Sequence, residues 1–297
     1  MVAVESAAAR QNQAALGTKV SEPAPFLKWA GGKTQLLPYL TSMLPKRFEN
    51  YAEPFVGSAA LFFWLKRNRD SFQARLFDRN DELVNCYVTV RDQIERLIPL
   101  LEELRDRHGK RFYYKVRSQR PQSLSELERA ARLIYLNKTC FNGLYRINSQ
   151  GQFNVPIGSY KRPRIFDDGA LRAASRALIG VTIMQADFAA IEHHCRAGDL
   201  VYFDPPYYPV SKTANFTAYA LGSDGRPVFG LEEHRRLAAT FRNLDRKNCY
   251  TMLSNSDSEA VRELYRGWRI RVAPARRAIN SDGSARGAVN EIIVTNY

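Results

Sequence analysis

The residues best suited to chemistry lie at Leu200–Tyr207, where an apolar run ends abruptly at Asp204, two prolines and a tyrosine. The β-rich apolar residues predict a buried strand. Because neither Pro205 nor Pro206 has a backbone N–H, the strand ends in an edge rich in acceptors. The Asp204 carboxylate and the Pro205 carbonyl can accept both hydrogens of a planar exocyclic amine, and Tyr207 offers a face to a heterocycle. The octet suits a nucleobase amino group that acts as a nucleophile, although in isolation it also fits a proline-stiffened turn.

Two earlier passages of the chain predict a strand, a turn and a helix in succession. Tyr51–Ser58 is typical of a short strand that ends in a glycine turn, and the apolar run Ala59–Leu65 follows as a helix. A glycine at this place lets a ligand approach the backbone at the positive end of the helix dipole. Ala74–Phe77 predicts another strand, closed by Asp78 at the spacing where dinucleotide-type folds bind a ribose hydroxyl, although Asp78 also suits a helix cap. These passages predict an open parallel α/β sheet with a ligand crevice at the carboxyl ends of its strands.

A third motif, Phe26–Lys33, carries a tryptophan, two adjacent glycines and a lysine. Gly31 and Gly32 permit a tight bend from an extended segment into a helix, and Lys33 is long enough to reach a carboxylate of a ligand. Trp29 fits core packing equally well, and Lys33 fits the exposed first turn of a helix. The motif by itself leaves both interpretations open.

The pattern of helices and strands divides the chain into segments. Residues 1–22 are rich in alanine, glutamine, serine and threonine, and we expect a disordered leader there. From residue 81 the pattern changes to charged helices, with apolar residues at helical spacing in Asp92–Arg107 and Leu124–Leu136, and then to a basic, aromatic stretch. The α/β rhythm resumes after that stretch. We therefore predict one α/β domain, residues 23–80 and 168–297, interrupted by a helical insertion at residues 81–167.

The composition is that of an ordinary globular chain of 297 residues, of which 45% are hydrophobic and 25% charged. A net charge of +14 favours a polyanionic partner, because each Lys or Arg that reaches a phosphate releases condensed counterions. No apolar run approaches the roughly 20 residues that cross a membrane, and no segment is typical of a signal peptide. The four cysteines are widely separated, without metal-ligand spacing, which favours reduced, buried thiols in a cytoplasmic protein without a metal.

Several motifs together resemble the Dam-type DNA N6-adenine methyltransferases, the alpha group or D12 class. Asp-Pro-Pro-Tyr alone is typical of amino-methyltransferases in general, whereas the motifs of the insertion are more specific and indicate the branch that methylates GATC. The resemblance extends over about residues 24–297. The motifs that carry it are Phe26–Lys33, Glu53–Ala60, Asn137–Arg146, Gly151–Gly158, Asp187-Phe188, Asp204–Tyr207 and Ala214–Tyr219.

The resemblance implies a Rossmann-like methyltransferase sheet, an inserted helical and hairpin target-recognition domain, and S-adenosylmethionine as the cofactor. Trp29 and Lys33 would bind the methionine end of the cofactor, Asp78 the ribose hydroxyls, and Asp187 with Phe188 the adenine. The full set of cofactor-binding residues implied is Trp29, Lys33, Glu53, Phe55, Gly57, Asp78, Asp187, Phe188 and Asp204.

The resemblance also implies the reaction and the partner, which is double-stranded DNA. The target adenine would rotate out of the duplex, stack on Tyr207 and present N6 to Asp204 and the Pro205 carbonyl. Asp204, Pro205, Pro206 and Tyr207 would then form the catalytic quartet of a monomeric enzyme from a bacterium or a phage. The enzyme would work alone or beside a restriction endonuclease.

The DNA-binding residues implied by the resemblance have different tasks. Lys28 and Arg146 would contact guanines in the major groove, and Phe141 would wedge into the gap beside the flipped base. The groove would be lined by Asn142, Leu144 and Pro156, and the phosphates would be gripped by Arg276, Arg277 and Arg286.

Two features depart from the family pattern. Ala59 replaces a second glycine, which is expected to narrow the approach of the backbone to the cofactor. Residues 221–230 form an extra turn-rich insertion after a flap predicted at Ser211–Tyr219.

Two other functions fit the isolated quartet: an amino-methyltransferase that acts on RNA or a protein amide, and a DNA-binding protein without catalysis. The insertion motifs argue against the first, and the intact quartet argues against the second.

Overall fold

The structure is a computed structural model. Part of the sequence-based prediction lies outside the residues that it describes: residues 1–20 of the leader, the flap Ser211–Tyr219, residues 221–228 of the extra insertion, and Arg277 and Arg286. The described residues are 21–29, 31, 33, 35–69, 71–148, 150–209, 229–276 and 288–297.

The described residues build a seven-stranded sheet with the order β3-β2-β1-β4-β5-β7-β6. Its strands are β1 (Tyr51–Glu53), β2 (Ala74–Asp78), β3 (Thr182–Gln185), β4 (Leu200–Phe203), β5 (Tyr250–Ser256), β6 (Arg269–Arg276) and β7 (Ala288–Thr295). The pairs from β3 through β5 are parallel, and β7 runs antiparallel to both β5 and β6. The chain fills one side of β1 with β2 and β3 and the other side with β4 and β5, so the switch point lies between β1 and β4. The predicted Rossmann-like α/β sheet is confirmed.

Helices cover both faces of the sheet, so strand β4 is buried on both sides. All four of its residues are buried. Leu200 and Tyr202 belong to the apolar core of one face, whereas Val201 and Phe203 belong to the core of the other face. A parallel strand that is covered on both sides has to be apolar throughout, and this is the pattern of the sequence at this place.

Nine α-helices occur among the described residues. The core of one face includes side chains of α2, α3, α4, α6 and α7, and the core of the other face includes side chains of α8 and α9. The helices are α1 (Leu37–Ser42), α2 (Ala60–Asn68), α3 (Asp81–Asp92), α4 (Ile94–Asp106), α5 (Lys110–Ser118), α6 (Glu126–Thr139), α7 (Asp168–Leu178), α8 (Leu231–Arg246) and α9 (Glu259–Leu264).

The predicted insertion contains α3 to α6 and a hairpin over residues 140–157. Cys140 pairs with Ile157 and Ile147 with Phe153 as antiparallel bridges of this hairpin. The hairpin, α5 and α6 share a small apolar core that is separate from the cores of the sheet. Helix α3 contacts α6 of the insertion and also β2, β3 and α7 of the α/β domain. The division of the chain at residue 81 therefore stays a prediction.

The helical segments of the insertion differ in their bounds from the pattern of the sequence. The segment predicted as Leu124–Leu136 begins at Glu126, because Ser125 and Glu128 form a capping box, and extends to Thr139. The segment predicted as Asp92–Arg107 begins at Ile94, after the turn that ends α3. The four cysteines, Cys86, Cys140, Cys195 and Cys249, are buried with free thiols.

Candidate active site and nucleic-acid interface

Asp204 lies directly after β4, beside the neighbouring strand β5. Its Oδ1 accepts a hydrogen bond of 2.9 Å from the Ser254 hydroxyl, and the Tyr202 hydroxyl lies 2.9 Å from the same Ser254 oxygen. Burial raises the pKa of Asp204, whereas the neighbouring ammonium of Lys33 and the Ser254 hydrogen bond lower it. Asp204 is thus a partly buried carboxylate, fixed through Oδ1 at the end of a central strand.

Lys33 is buried against Asp204. Its Nζ lies 2.8 Å from Asp204 Oδ1 and 4.4 Å from the centre of the Tyr207 ring, and it also donates a hydrogen bond to the Gly31 carbonyl. The ammonium therefore contacts the carboxylate that was predicted to bind the substrate amine, and it makes a cation–π contact with the ring that was predicted to stack on the heterocycle. The predicted contact of Lys33 with a carboxylate of the cofactor stays a prediction.

The residues after the two prolines are held by β5 and β7. The Tyr207 hydroxyl donates a hydrogen bond of 2.7 Å to Glu291 Oε2. The backbone N–H of Tyr208 donates to Asn255 Oδ1 at 3.1 Å, and its carbonyl accepts from Ser256 Oγ at 2.6 Å. Burial raises the pKa of Tyr207 well above its usual value, so its hydroxyl stays a donor. The whole Asp-Pro-Pro-Tyr loop is therefore tied to the antiparallel side of the sheet.

Carboxylates also end strands β1 and β2. Glu53 is buried and accepts a hydrogen bond of 3.0 Å from the Tyr51 hydroxyl, and burial raises its pKa well above its usual value. Burial also raises the pKa of Asp78 to about 6, against the effect of backbone N–H donors. Those donors include Asn80, 3.0 Å from Oδ1, and Gly57, 3.5 Å from Oδ2. Since the side-chain cap of α3 is Asn80, Asp78 is not needed as a helix cap.

The loop between β1 and α2 contains two left-handed residues, Gly57 (φ 45°) and Ala59 (φ 53°). A Cβ atom on Gly57 would lie 3.1 Å from Cδ1 of Trp29, so a side chain at Gly57 would meet both backbone strain and the indole. Ala59, the departure from the family pattern, adopts a conformation that glycine would adopt without strain.

Aromatic rings connect the loop after β1 with the rest of the site. Phe55 stacks on Phe188 with ring centres 5.4 Å apart, and both rings contact Phe229. Beside them, Asp187 Oδ1 lies 2.7 Å from Nη2 of Arg236, whose guanidinium also lies over Phe188. The structure thus brings Asp187 and Phe188 next to Phe55; the contact of Asp187 and Phe188 with an adenine stays a prediction.

The segment that contains Lys28 is tied to the hairpin by Asn137, which is buried in α6. The Asn137 side chain accepts from the Lys28 N–H at 2.8 Å and donates to the Lys28 carbonyl at 2.6 Å and the Gly143 carbonyl at 3.2 Å. The Lys28 side chain lies over the ring of Tyr160, with Nζ 4.6 Å from its centre. Trp29, the next residue, stacks on Tyr145 of the hairpin at 5.3 Å.

The surface of the hairpin carries most of the residues predicted to bind DNA. Phe141 is 46% exposed, a large fraction for a phenylalanine, and its N–H donates to the Pro156 carbonyl at 2.9 Å. Arg146 is exposed and is oriented by Asn154, whose Oδ1 accepts from Nε at 2.7 Å. Lys28, Asn142 and Pro156 are exposed, and Leu144 is half-buried. Arg276 ends β6, and Arg277 lies outside the described residues.

Several residues of the site were missed by reasoning from the sequence: Tyr202, Ser254, Asn255, Ser256, Glu291, Tyr145 and Arg236. The polar triplet Ser254-Asn255-Ser256 gave a usable signal, because it directly follows an apolar run, at the carboxyl end of a predicted strand; the structure shows that its side chains are buried. The pairing of Trp29 with Tyr145 gave none, since 116 positions separate them in the sequence.

No helix in the described ranges is long and apolar enough to cross a membrane. Within the same ranges, no group of three or more His, Cys, Asp and Glu side chains could hold a metal ion.

A sheet with an antiparallel β7 between β5 and β6, and an Asp-Pro-Pro-Tyr loop at its switch point, define the class of α/β amino-methyltransferases. A family model described as "D12 class N6 adenine-specific DNA methyltransferase" matches residues 29–279. The chain belongs to this family, and its reaction is the methylation of adenine in DNA.

Similar proteins extend over most of the chain. The Type II methyltransferase M1.LlaDCHI of Lactococcus lactis subsp. cremoris is 43% identical over 279 residues, which are 92% of this chain and 95% of the relative. The Type II methyltransferase M.MjaIII of Methanocaldococcus jannaschii is 40% identical, over 93% of this chain and all of the relative. The DNA adenine methylase of Escherichia coli K12 is 34% identical, over 90% of this chain and 93% of the relative.

Proposed function

We propose that the protein methylates N6 of adenine within GATC in double-stranded DNA, with S-adenosylmethionine as the methyl donor, after it flips the adenine out of the duplex. One observation carries the proposal: the segment Lys28–Lys33 contacts the exposed hairpin at one end and the Asp-Pro-Pro-Tyr loop at the other. Lys28 and Trp29 contact Gly143 and Tyr145, and Lys33 pairs with Asp204. A surface suited to base edges and a carboxylate suited to an amine are therefore held in one structure.

The residues around the switch point fit S-adenosylmethionine. Asp78 is a carboxylate with a pKa of about 6, so it is ionised at neutral pH and can accept hydrogen bonds from ribose hydroxyls. The backbone of Gly57, in the left-handed conformation, lies beside Asp78, and a side chain at Gly57 would meet the Trp29 indole. Phe55, half-buried and stacked on the buried Phe188, provides an apolar face for a purine, beside the carboxylate of Asp187. When bound, the cofactor supplies an electrophilic methyl group on a sulfonium centre.

Asp204 and its surroundings would prepare the amine. Adenine N6 is a poor nucleophile because its lone pair is delocalised into the ring. Hydrogen bonds from its two hydrogens to Asp204 Oδ2 and to the Pro205 carbonyl favour a more tetrahedral nitrogen, whose lone pair is then available. Oδ2 has no hydrogen-bond partner among the described residues, whereas Oδ1 is taken by Ser254 and Lys33. Since Lys33 Nζ lies over one face of the Tyr207 ring, a base that stacks on that face would displace the ammonium.

The hairpin would read the target. Arg146 is oriented by Asn154 and exposed, which suits contacts to guanine O6 and N7, and Lys28 is exposed beside Gly143 of the hairpin. Phe141 is an exposed apolar ring, as expected of a wedge that fills the gap left by a flipped base. Arg276 and Arg277 would hold phosphates, which positions the duplex without specifying its sequence.

The proposal is tested by sequencing DNA from a methylation-deficient host that expresses the protein, with a reader of modified bases. N6-methyladenine confined to GATC is the expected result. Methylation at a different sequence would contradict the GATC assignment. Parallel transfer assays on duplex DNA, RNA and protein should give transfer to the duplex alone; transfer to RNA or to a protein amide would favour the other amino-methyltransferase function.

The role of Asp204 is tested by Asp204→Ala. We expect no detectable methyl transfer, while the affinity for a GATC duplex stays within about threefold of the original, because Asp204 contacts the base only after flipping. A duplex with 2-aminopurine at the target should gain fluorescence with the unmodified enzyme as the base unstacks. Turnover by Asp204→Ala at the original rate would refute the assignment.

A further inference from the structure

We propose that Ser254 is a positioning residue for Asp204: its hydroxyl holds Oδ1 so that Oδ2 stays available to the substrate amine. The inference rests on the proposed catalytic role of Asp204. Ser254 is not part of the Asp-Pro-Pro-Tyr motif and lies about 50 positions after it.

The register of the sheet places the two residues side by side. Phe203 pairs with Leu253 in the parallel ladder between β4 and β5, so Asp204 and Ser254 are the next residues of the two strands. Ser254 is fully buried and belongs to β5, which continues to Ser256. Its hydroxyl is therefore carried by a paired backbone, which limits how far it can move with respect to Asp204.

The direction of the hydrogen bonds follows from the chemistry of the groups. Ionised Asp204 is only an acceptor, so the Ser254 hydroxyl has to donate to it. The single proton of Ser254 is then used, and the Tyr202 hydroxyl, 2.9 Å away, has to donate to the Ser254 oxygen. Burial raises the pKa of Tyr202 well above its usual value, so Tyr202 keeps its proton. The result is a directed chain from Tyr202 through Ser254 to Oδ1.

This chain matters because the other contact of Oδ1 comes from a less rigid group. The Lys33 ammonium lies over the Tyr207 ring on which the base is proposed to stack, and it ends a flexible four-carbon side chain, so it supports the carboxylate less firmly than Ser254 does. Ser254 and Tyr202 both belong to paired strands of the sheet, which limits their movement. A hydrogen bond to an ionised acceptor is also stronger than one between neutral groups.

The experiment compares Ser254→Ala with two further variants of the full-length enzyme. Tyr202→Phe removes the second donor of the chain and keeps the ring. Thr251→Val, on the same strand, is the matched control: Thr251 is fully buried as well, but its hydroxyl has no hydrogen-bond partner among the described residues. Single-turnover methylation of a GATC duplex is measured against pH, together with the affinities for duplex and S-adenosylhomocysteine and the melting temperature.

For Ser254→Ala we expect a single-turnover rate about 10- to 100-fold lower, the range for loss of a hydrogen bond to a charged group, with both affinities unchanged. The acid limb of the rate profile should move to higher pH, because the Ser254 hydrogen bond lowers the pKa of Asp204. Tyr202→Phe should show a smaller loss and a shift in the same direction. Thr251→Val should match the original enzyme.

The inference would be overturned if Ser254→Ala had the single-turnover rate of the unmodified enzyme and the same acid limb in its pH profile. A lower rate accompanied by an equal fall in the affinities for duplex and S-adenosylhomocysteine would also overturn it, because that result indicates a structural role only. If Ser254→Ala does not fold, Tyr202→Phe alone decides: an unchanged rate and acid limb overturn the inference. Asp204→Ala separates the two proposals, because its activity tests the proposed function, while the Ser254 and Tyr202 variants test the support of an Asp204 already shown to be needed.

Discussion

Gly143 and Gly151 offer a comparison that isolates the contact between the hairpin and Lys28. Both glycines belong to the hairpin and both are left-handed, with φ of 65° and 73°. A Cβ atom on Gly143 would lie 2.6 Å from both Cβ and Cδ of Lys28, whereas a Cβ atom on Gly151 would have no heavy atom within 4 Å. Gly143→Ala and Gly151→Ala therefore share the cost of backbone strain, and only Gly143→Ala adds a steric conflict.

The magnitudes follow from these distances. Alanine in the left-handed region costs about 1–2 kcal/mol, partly offset by the smaller entropy of its unfolded chain. Gly151→Ala should thus lower the free energy of unfolding by about 1 kcal/mol. In Gly143→Ala the new methyl group lies about 1 Å inside the usual carbon–carbon contact distance, and overpacking of this kind costs about 1–3 kcal/mol more. Because Asn137 holds both the N–H and the carbonyl of Lys28, the Lys28 side chain has to move rather than its backbone.

The loss of the proposed guanine contact of Lys28 is worth about 1–3 kcal/mol, or roughly 5- to 150-fold in affinity. We would measure the affinity by fluorescence anisotropy for a GATC duplex and for a duplex with 7-deazaguanine in place of the guanine. The original enzyme should prefer guanine, Gly143→Ala should lose the part of that preference that Lys28 supplies while keeping the part that Arg146 supplies, and Gly151→Ala should keep all of it. Urea unfolding of both variants reports the strain separately.

Equal preference for guanine in the two variants would refute this reasoning. It would mean that the hairpin does not fix Lys28 for DNA binding, whatever the effect of Gly143→Ala on stability.

Two further predictions use other residues of the site. Because burial raises the pKa of Asp78 to about 6 and ribose hydroxyls donate only to its ionised form, the affinity for S-adenosylhomocysteine should fall by up to about tenfold per pH unit below that value and level off above it. Calorimetry between about pH 5 and 8 measures this, and Asp78→Asn should show weak, pH-independent binding; an unchanged profile in that variant would exclude Asp78 as the titrating group. Ala59→Gly should change the free energy of unfolding by less than about 1 kcal/mol, because relief of the left-handed strain of about 1–2 kcal/mol is offset by the chain entropy of glycine and by loss of a buried methyl group worth about 0.8 kcal/mol. Urea unfolding measures it, and a loss of more than about 1.5 kcal/mol would contradict the strain at Ala59.

The ends of the strands and the turns of the site could be predicted from the sequence because they depend only on neighbouring residues. Leu200–Phe203 is apolar throughout, as a doubly covered parallel strand must be, and two prolines end it at a fixed place. The glycine turn after β1 and Asp78 after β2 follow from the same local rules. The class of fold and the four residues of the Asp-Pro-Pro-Tyr loop could therefore be named from the sequence.

The supports of that loop could not be named, because each depends on which strand lies beside another. Ser254 meets Asp204 only because β5 pairs with β4, and Glu291 meets Tyr207 only because β7 is inserted beside β5. Lys33 was predicted to bind a carboxylate of the cofactor, but its ion pair with Asp204 could not be foreseen, because 171 positions separate the two residues. The sequence by itself determined where each strand ends and which chemistry stands there, since these depend on a few neighbouring residues. Only the tertiary structure decided which of those ends meet and which hydrogen bonds fix them, because pairing between distant segments is set by the packing of the whole sheet.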